Sequence, residues 1–198
     1  MRKASKLDKD KVVKIICESF NTNPHVNFIV KNDSKRPLRM VALANFAFEL
    51  GMRRDGVYLT DDGLGVSIIY EYDKIKMNLF EYWLQFKLVF QTFSMERALM
   101  VNALENNIKK YRIKDFAFLY LWFFGVANEG LGTNDARDMM HFIFELSYEN
   151  KLPICLETSL RRNNVIYKRF GLEDYNIFET GKEGLTMWYM KRPFDFGR

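Results

Sequence analysis

Histidine and cysteine are the scarce residues of this chain, with two of each among 198 residues. His25 and His141 stand alone, and no Cys/His cluster has zinc spacing, so we expect no metal site. Each histidine reads as an ordinary polar residue. Proline is also sparse, and no Pro/Gly/Ser-rich stretch or internal repeat divides the chain. One domain over residues 1–198 is therefore expected. Neither a G-x-S-x-G nucleophile elbow nor a G-x-x-x-x-G-K-S/T phosphate loop occurs. Long apolar runs are missing too. The longest, FAFLYLWFFGVA at residues 116–127, is too short to span a bilayer as a helix, which needs about 20 residues. No membrane span is expected. The opening MRKASKLDKDKVVK is charged and no apolar segment follows it, unlike a secretory signal. The net charge of +5 is mild, and its basic residues are interleaved with acids. That is a solvated surface and not a nucleic-acid footprint.

What the chain does have is apolar and aromatic mass. Apolar residues make up 48% of it, with 18 Phe and 10 Tyr, enough for a core without staples. Cys17 and Cys155 each lie in an apolar stretch, which favours two reduced core thiols over a disulfide and hence a cytoplasmic setting.

Periodicity orders the elements. Val12, Val13, Ile16 and Phe20 have helical spacing over residues 8–20, and Asn23-Pro24 is expected to close that segment. A second helix is expected over 39–50, stopped by Gly51. Residues 56–60 and 65–70 are β-rich runs around Asp61-Asp62-Gly63, a hairpin signal. Gly63-Leu64-Gly65 precedes a strand, so it reads as a turn and not a phosphate loop. Residues 78–111 are helical throughout, with a break expected at Phe93-Ser94 and Ser94 as a cap. The aromatic residues there (Phe80, Tyr82, Trp83, Phe86, Phe90, Phe93) are expected in the core.

Residues 116–126 then read as a central strand, apolar on both faces. Phe118, Tyr120, Trp122 and Phe124 alternate with Leu119, Leu121 and Phe123. A helix over 136–150 and a strand over 153–157 complete a βαβ unit. A short helix over 163–170 and a pair of strands, 175–178 and 185–190, follow. A hairpin plus a crossover makes the sheet mixed, and the class α/β.

A buried strand feeding a glycine-containing loop and then a helix leaves free backbone N–H groups at a helix start, which favours a pyrophosphate. Within the βαβ unit, Phe124-Gly125-Val126 is followed by Leu131-Gly132-Thr133-Asn134-Asp135-Ala136 and then Met139-Met140. Further on come Leu156-Glu157-Thr158-Ser159, Asn163, and Tyr167 to Glu173 (YKRFGLE). This pattern, over residues 116–192, resembles the GNAT acyltransferases. The resemblance implies a mostly antiparallel central sheet with helices on both faces, and a soluble enzyme that acetylates an amine with acetyl-coenzyme A. Phe124, Gly125 and Val126 would offer backbone groups to the pantetheine, and residues 131–136 would hold the pyrophosphate. Tyr167 matches the family position that protonates the departing thiolate; a phenol of pKa about 10 stays protonated at neutral pH. Glu157 is a candidate base or a solvated acid at a strand end. Asn163 would bind the pantetheine or cap its helix.

The loop departs from the family form Q/R-x-x-G-x-G/A. Its first position is Leu131, its middle glycine is Asn134, and Asp135 sits where the pyrophosphate should lie. A fold that has lost the cofactor and acts as a binding module is therefore the alternative expectation. A dinucleotide-binding domain on Gly130-Leu131-Gly132 would need a small residue at Asp135. The acceptor stays open among a peptide amine, a polyamine and an antibiotic, as does the choice between monomer and homodimer.

Overall fold

The structure, a computed structural model, describes residues 1–72, 78–92, 95–180 and 184–197. A two-residue strand β1 (Arg2–Lys3) leads into helix α1 (Lys9–Phe20). Val12, Ile15 and Ile16 of α1 are buried at helical spacing. Pro24 does not close the segment as expected. It occupies the first turn of α2 (Pro24–Ile29), whose start is capped by Asn23 accepting from the Val26 N–H. Proline fits there because a first-turn N–H has no helical partner.

Helix α3 (Arg36–Arg53) runs past Gly51, which is not its stop signal. A Cβ at Gly51 would stand 2.7 Å from a Val57 methyl and 2.8 Å from an Ile68 methyl, so this glycine lets α3 lie close on the sheet. The hairpin forms as expected, from β2 (Val57–Leu59) and β3 (Gly65–Glu71). Helices α4 (Leu79–Thr92) and α5 (Met95–Lys110) follow, and the expected break and cap at Phe93-Ser94 lie outside the described residues. The chain continues through β4 (Leu119–Val126), α6 (Asp135–Asn150), β5 (Ile154–Thr158), α7 (Arg161–Arg169), β6 (Glu173–Glu179) and β7 (Thr186–Arg192).

The seven strands form one sheet of order β1-β2-β3-β4-β5-β7-β6, antiparallel except between β4 and β5. Helices α1 and α3 cover one face, with Ile15, Ile16, Ala47 and Phe48 against Val66, Ile68, Tyr120 and Phe123. Helices α6 and α7 cover the other, with Met140, Ile143 and Tyr167 against Leu119, Leu121 and Leu156. The simple alternation expected for β4 fails at one point. Ile68 pairs with Phe123 and Ile69 with Leu121, so Trp122 is the extra residue of a β-bulge. Phe123 thus joins Tyr120 on the α1/α3 face and Phe124 joins Leu121 on the other, the reverse of the expected assignment.

Four of the six aromatic side chains expected in the core overturn that expectation, and those of Phe90 and Phe93 lie outside the described residues. Phe80, Tyr82, Trp83 and Phe86 are exposed. Leu84, by contrast, is buried. Phe80 and Trp83 line a groove of about 740 Å³ with Leu38, Val41 and Phe46 of α3. Helix α4 packs mainly on α3.

Candidate active site

Parallel pairing between β4 and β5 is brief. Leu119 faces Ile154 and Tyr120 faces Cys155, and no pair follows, although β4 continues to Val126 and β5 to Thr158. The two central strands therefore splay into a fork. Ala127 donates its N–H to the Leu64 carbonyl on the β3 side at 2.7 Å. Alternation of the antiparallel ladder then turns the peptide groups of Val126 and Phe124 toward the open fork. The Val126 carbonyl already accepts from Ser19 Oγ at 2.8 Å. Helix α1 comes this close because of Gly125, where a Cβ would stand 2.7 Å from the Ser19 Cβ. Phe124, Gly125 and Val126 are thus all on one prong, with Phe124 offering the unclaimed peptide group.

The loop beyond that prong is built from residues 127–134. Leu131 is 69% exposed, and Gly132 has φ +89° with open space where a Cβ would point. Only glycine adopts that conformation without strain. The Thr133 hydroxyl lies 2.7 Å from both the Gly130 carbonyl and Asp135 Oδ2, and it accepts the Asp135 N–H at 3.2 Å. Asp135 thereby occupies the first turn of α6 beside a second acid, Asp138, and the N-cap Asn134 makes no capping bond. Ala136 is exposed, while Met139 and Met140 are buried. Two further acids stand near. Glu18 accepts the Asn128 N–H at 2.9 Å, and Glu129 pairs with Lys14 at 2.8 Å.

Tyr167 lies on α7 in the same cluster as Leu119 and Leu121 of β4 and Leu156 of β5, beneath both prongs. It is 8% exposed, burial pushes its phenol up to about 12, and among the described residues its hydroxyl has no hydrogen-bond partner. Asn163 lies in the first turn of α7 and does not cap it; the N-cap position is Leu160. Its buried neighbour Asn164 bonds Asp174 Oδ1 at 2.5 Å.

Glu157 is not a solvated strand-end acid. It is buried on the α1/α3 side of the fork, held by Arg112 through Nε at 2.6 Å and Nη2 at 3.0 Å. The Tyr120 hydroxyl also donates to it, and Arg112 reaches the Tyr72 hydroxyl at 3.2 Å. The guanidinium stands 4.5 Å from the Tyr120 ring centroid and 5.3 Å from that of Tyr72. Burial acts to lower the Arg112 pKa, but Tyr120 and Glu157 together hold it well above its ordinary value. Burial drives the Tyr120 phenol far up. This network bridges β4 and β5 by side chains at the point where backbone pairing stops.

The sequence pattern missed Arg112, Tyr120 and Tyr72 as polar partners. A signal existed: a glutamate and a tyrosine in strands buried on both faces each require a partner. It does not say which of the chain's basic residues answers. Beyond the fork, Ser159 accepts the His25 N–H at 3.2 Å and donates to Asn23 Oδ1 at 3.1 Å, and His25 faces Glu105 of α5. Both cysteines are free thiols, raised by burial to about 11 for Cys17 and about 12 for Cys155. Among the described residues no cluster of three metal-ligating side chains occurs, and no helix is long and apolar enough to cross a membrane.

This architecture has solved counterparts. A histone acetyltransferase HPA2-related acetyltransferase of Corynebacterium glutamicum is similar over 97% of this chain and 94% of its own, with TM-score 0.71 and 17% identity. An arylalkylamine N-acetyltransferase of Aedes aegypti is similar over 98% of both chains, with TM-score 0.65 and 11% identity. A protein of Desulfovibrio desulfuricans assigned to the GNAT family is similar over 98% and 97%, with TM-score 0.57 and 10% identity. No family model matches the sequence. No curated protein matches it either. The chain has the fold of the GNAT N-acetyltransferases.

Proposed function

We propose that the protein transfers an acetyl group from acetyl-coenzyme A to a primary amine. The observation that carries this reading is the fork: two central strands that part after Tyr120 and Cys155, with the Phe124 peptide facing the gap. A thioester donor when bound supplies an activated acyl carbon and a thiol leaving group. The chain's own residues fit that donor in part. Phe124, Gly125 and Val126 would line its pantetheine, Gly132 and its loop neighbours Leu131, Thr133, Asn134, Asp135 and Ala136 its pyrophosphate, and Asn163 the arm between. The open space at Gly132 suits the approach of a phosphate; Asp135 opposes it.

Tyr167 serves as the acid for the departing sulfur. Its ring is buried beneath both prongs, and at about 12 its phenol is fully protonated at neutral pH. The Glu157 carboxylate is committed to Arg112 and Tyr120, so its part is to hold the fork and not to accept an amine proton.

Titration calorimetry with acetyl-coenzyme A, followed by thiol release with 2-phenylethylamine, spermidine and a lysine peptide as probes, tests the reading. Tyr167→Phe is expected to lower turnover by about 10²-fold with donor affinity unchanged. Unchanged turnover removes Tyr167 from the mechanism. The acid-rimmed loop favours one second reading, a GNAT-fold binding module without a donor, and calorimetry separates the two at the first step.

A further inference from the structure

Beyond the fork the structure gathers a group that neither the donor site nor Tyr167 uses. Helix α2 is tied to the end of β5, since Ser159, one residue past that strand, accepts the His25 N–H and donates to the Asn23 that caps the helix. His25 therefore stands at the mouth of the fork by two linked hydrogen bonds. Its Nε2 is fully buried, 3.2 Å from Glu105 Oε1 but off the hydrogen-bond axis. Such contacts often tighten only when substrate is present. About a quarter of the His25 side chain remains exposed, and Nδ1, unlike Nε2, is not a fully buried atom left without a partner. Desolvation acts to raise the Glu105 carboxyl, yet His25, with Arg112 and Lys109, keeps it below the ordinary range. The same acid acts electrostatically on Tyr189, which pairs with Glu157 in the sheet, as do Glu157 and Arg112. Glu105 thus lies within electrostatic reach of Arg112 and Tyr189.

We infer that His25 is the base that takes a proton from the acceptor amine, with Glu105 as the residue that positions it. The inference rests on the acetyltransferase reading. The charged groups facing the imidazole are Glu105 directly, and Lys109 and Arg112 through Glu105; Ser159 and Asn23 are neutral. An amine arrives protonated at neutral pH and cannot attack until one proton leaves. His25 Nδ1 accepts that proton and later returns it to water. The nitrogen lone pair then forms the N–C bond as the C–S bond breaks, its electrons leaving on sulfur. The second amine proton is lost from nitrogen and the thiolate is protonated. Amine cation and thioester thus give amide, thiol and one released proton. Holding Nε2 on Glu105 leaves Nδ1 with the lone pair, the tautomer this step needs.

With only two histidines, imidazole ¹⁵N spectra of the full chain are simple, and His141→Gln assigns them. The expected result is a His25 imidazole with its proton on Nε2, and loss of that tautomer preference in Glu105→Gln. His25→Gln should keep the acetyl-coenzyme A affinity of the parent. Its thiol release with the three amine probes should fall by about 10²-fold. Turnover equal to the parent in His25→Gln overturns the inference, as does a neutral imidazole protonated on Nδ1. So does a parent that binds acetyl-coenzyme A and turns over none of the probes. A parent that binds no acetyl-coenzyme A overturns the acetyltransferase reading first, and this inference falls with it.

Discussion

The two ends of the fork treat negative charge in opposite ways. At the end proposed for the donor, Glu18, Glu129, Asp135 and Asp138 stand on or near the surface around a helix start, and Lys14 is the cation paired among them. At the end proposed for the acceptor, Glu157 is buried against Arg112, and Glu105 faces His25. In that reading a polyanion would meet repulsion at the first end, while the acids of the second are already held by side-chain partners.

The largest effect that bears on this contrast is expected at the vertex. Glu157→Ala leaves Arg112 buried without its carboxylate, which costs about 3–5 kcal/mol. Replacing both partners by Met should cost much less, because two apolar groups leave no uncompensated charge. Thermal or urea unfolding of the two variants checks this. Equal losses would mean that the pair is not a closed unit.

A smaller effect is expected at the donor end. The triple change Leu131→Gln, Asn134→Gly and Asp135→Ile removes a charge and frees a peptide group, and should tighten acetyl-coenzyme A by about tenfold, or 1.4 kcal/mol. Added salt screens the repulsion by Asp135, so the gap in affinity between parent and variant should narrow as ionic strength rises. A parent of ordinary low-micromolar affinity that the triple change does not improve would remove the contrast between the two ends.

The next effect is a dependence on acidity. Because the Glu105 carboxyl is held below its ordinary range, it stabilises the fold above the pKa of the unfolded chain, about 4.3, and that contribution is lost as pH falls through the folded value. The midpoint of the parent should exceed that of Glu105→Gln near neutrality, and the gap should close below about pH 4. A gap that widens in acid would reverse the assignment. The smallest effect is expected on α4, where Trp83 is exposed. Trp83→Ser should change stability by about 0.5 kcal/mol or less in either direction, and a larger loss would show that this face is covered in solution.

How much of this was legible depended on sequence distance. The central strand, helix α6, β5 and the hairpin were readable because a period of two or 3.6 residues is written in neighbouring side chains. The burial of Met139 and Met140 was readable for the same local reason. Helix α4 misled because its aromatic content says nothing of whether a second layer covers it. Gly51 misled because a glycine near a helix end signals a stop, whereas here it answers the approach of Val57 and Ile68.

The sequence by itself determined the order of helices and strands apart from β1 and α2, the βαβ unit and the acid in its loop, since each is a local property of the chain. Only the tertiary structure decided the bulge at Trp122, the burial of Glu157 and the pairing of His25 with Glu105. Arg112 and Glu157 are 45 residues apart, and His25 lies 134 residues before Ser159. Which distant cation meets a buried acid is set by how the layers pack, because the cost of an unpaired charge is felt only once water has been excluded.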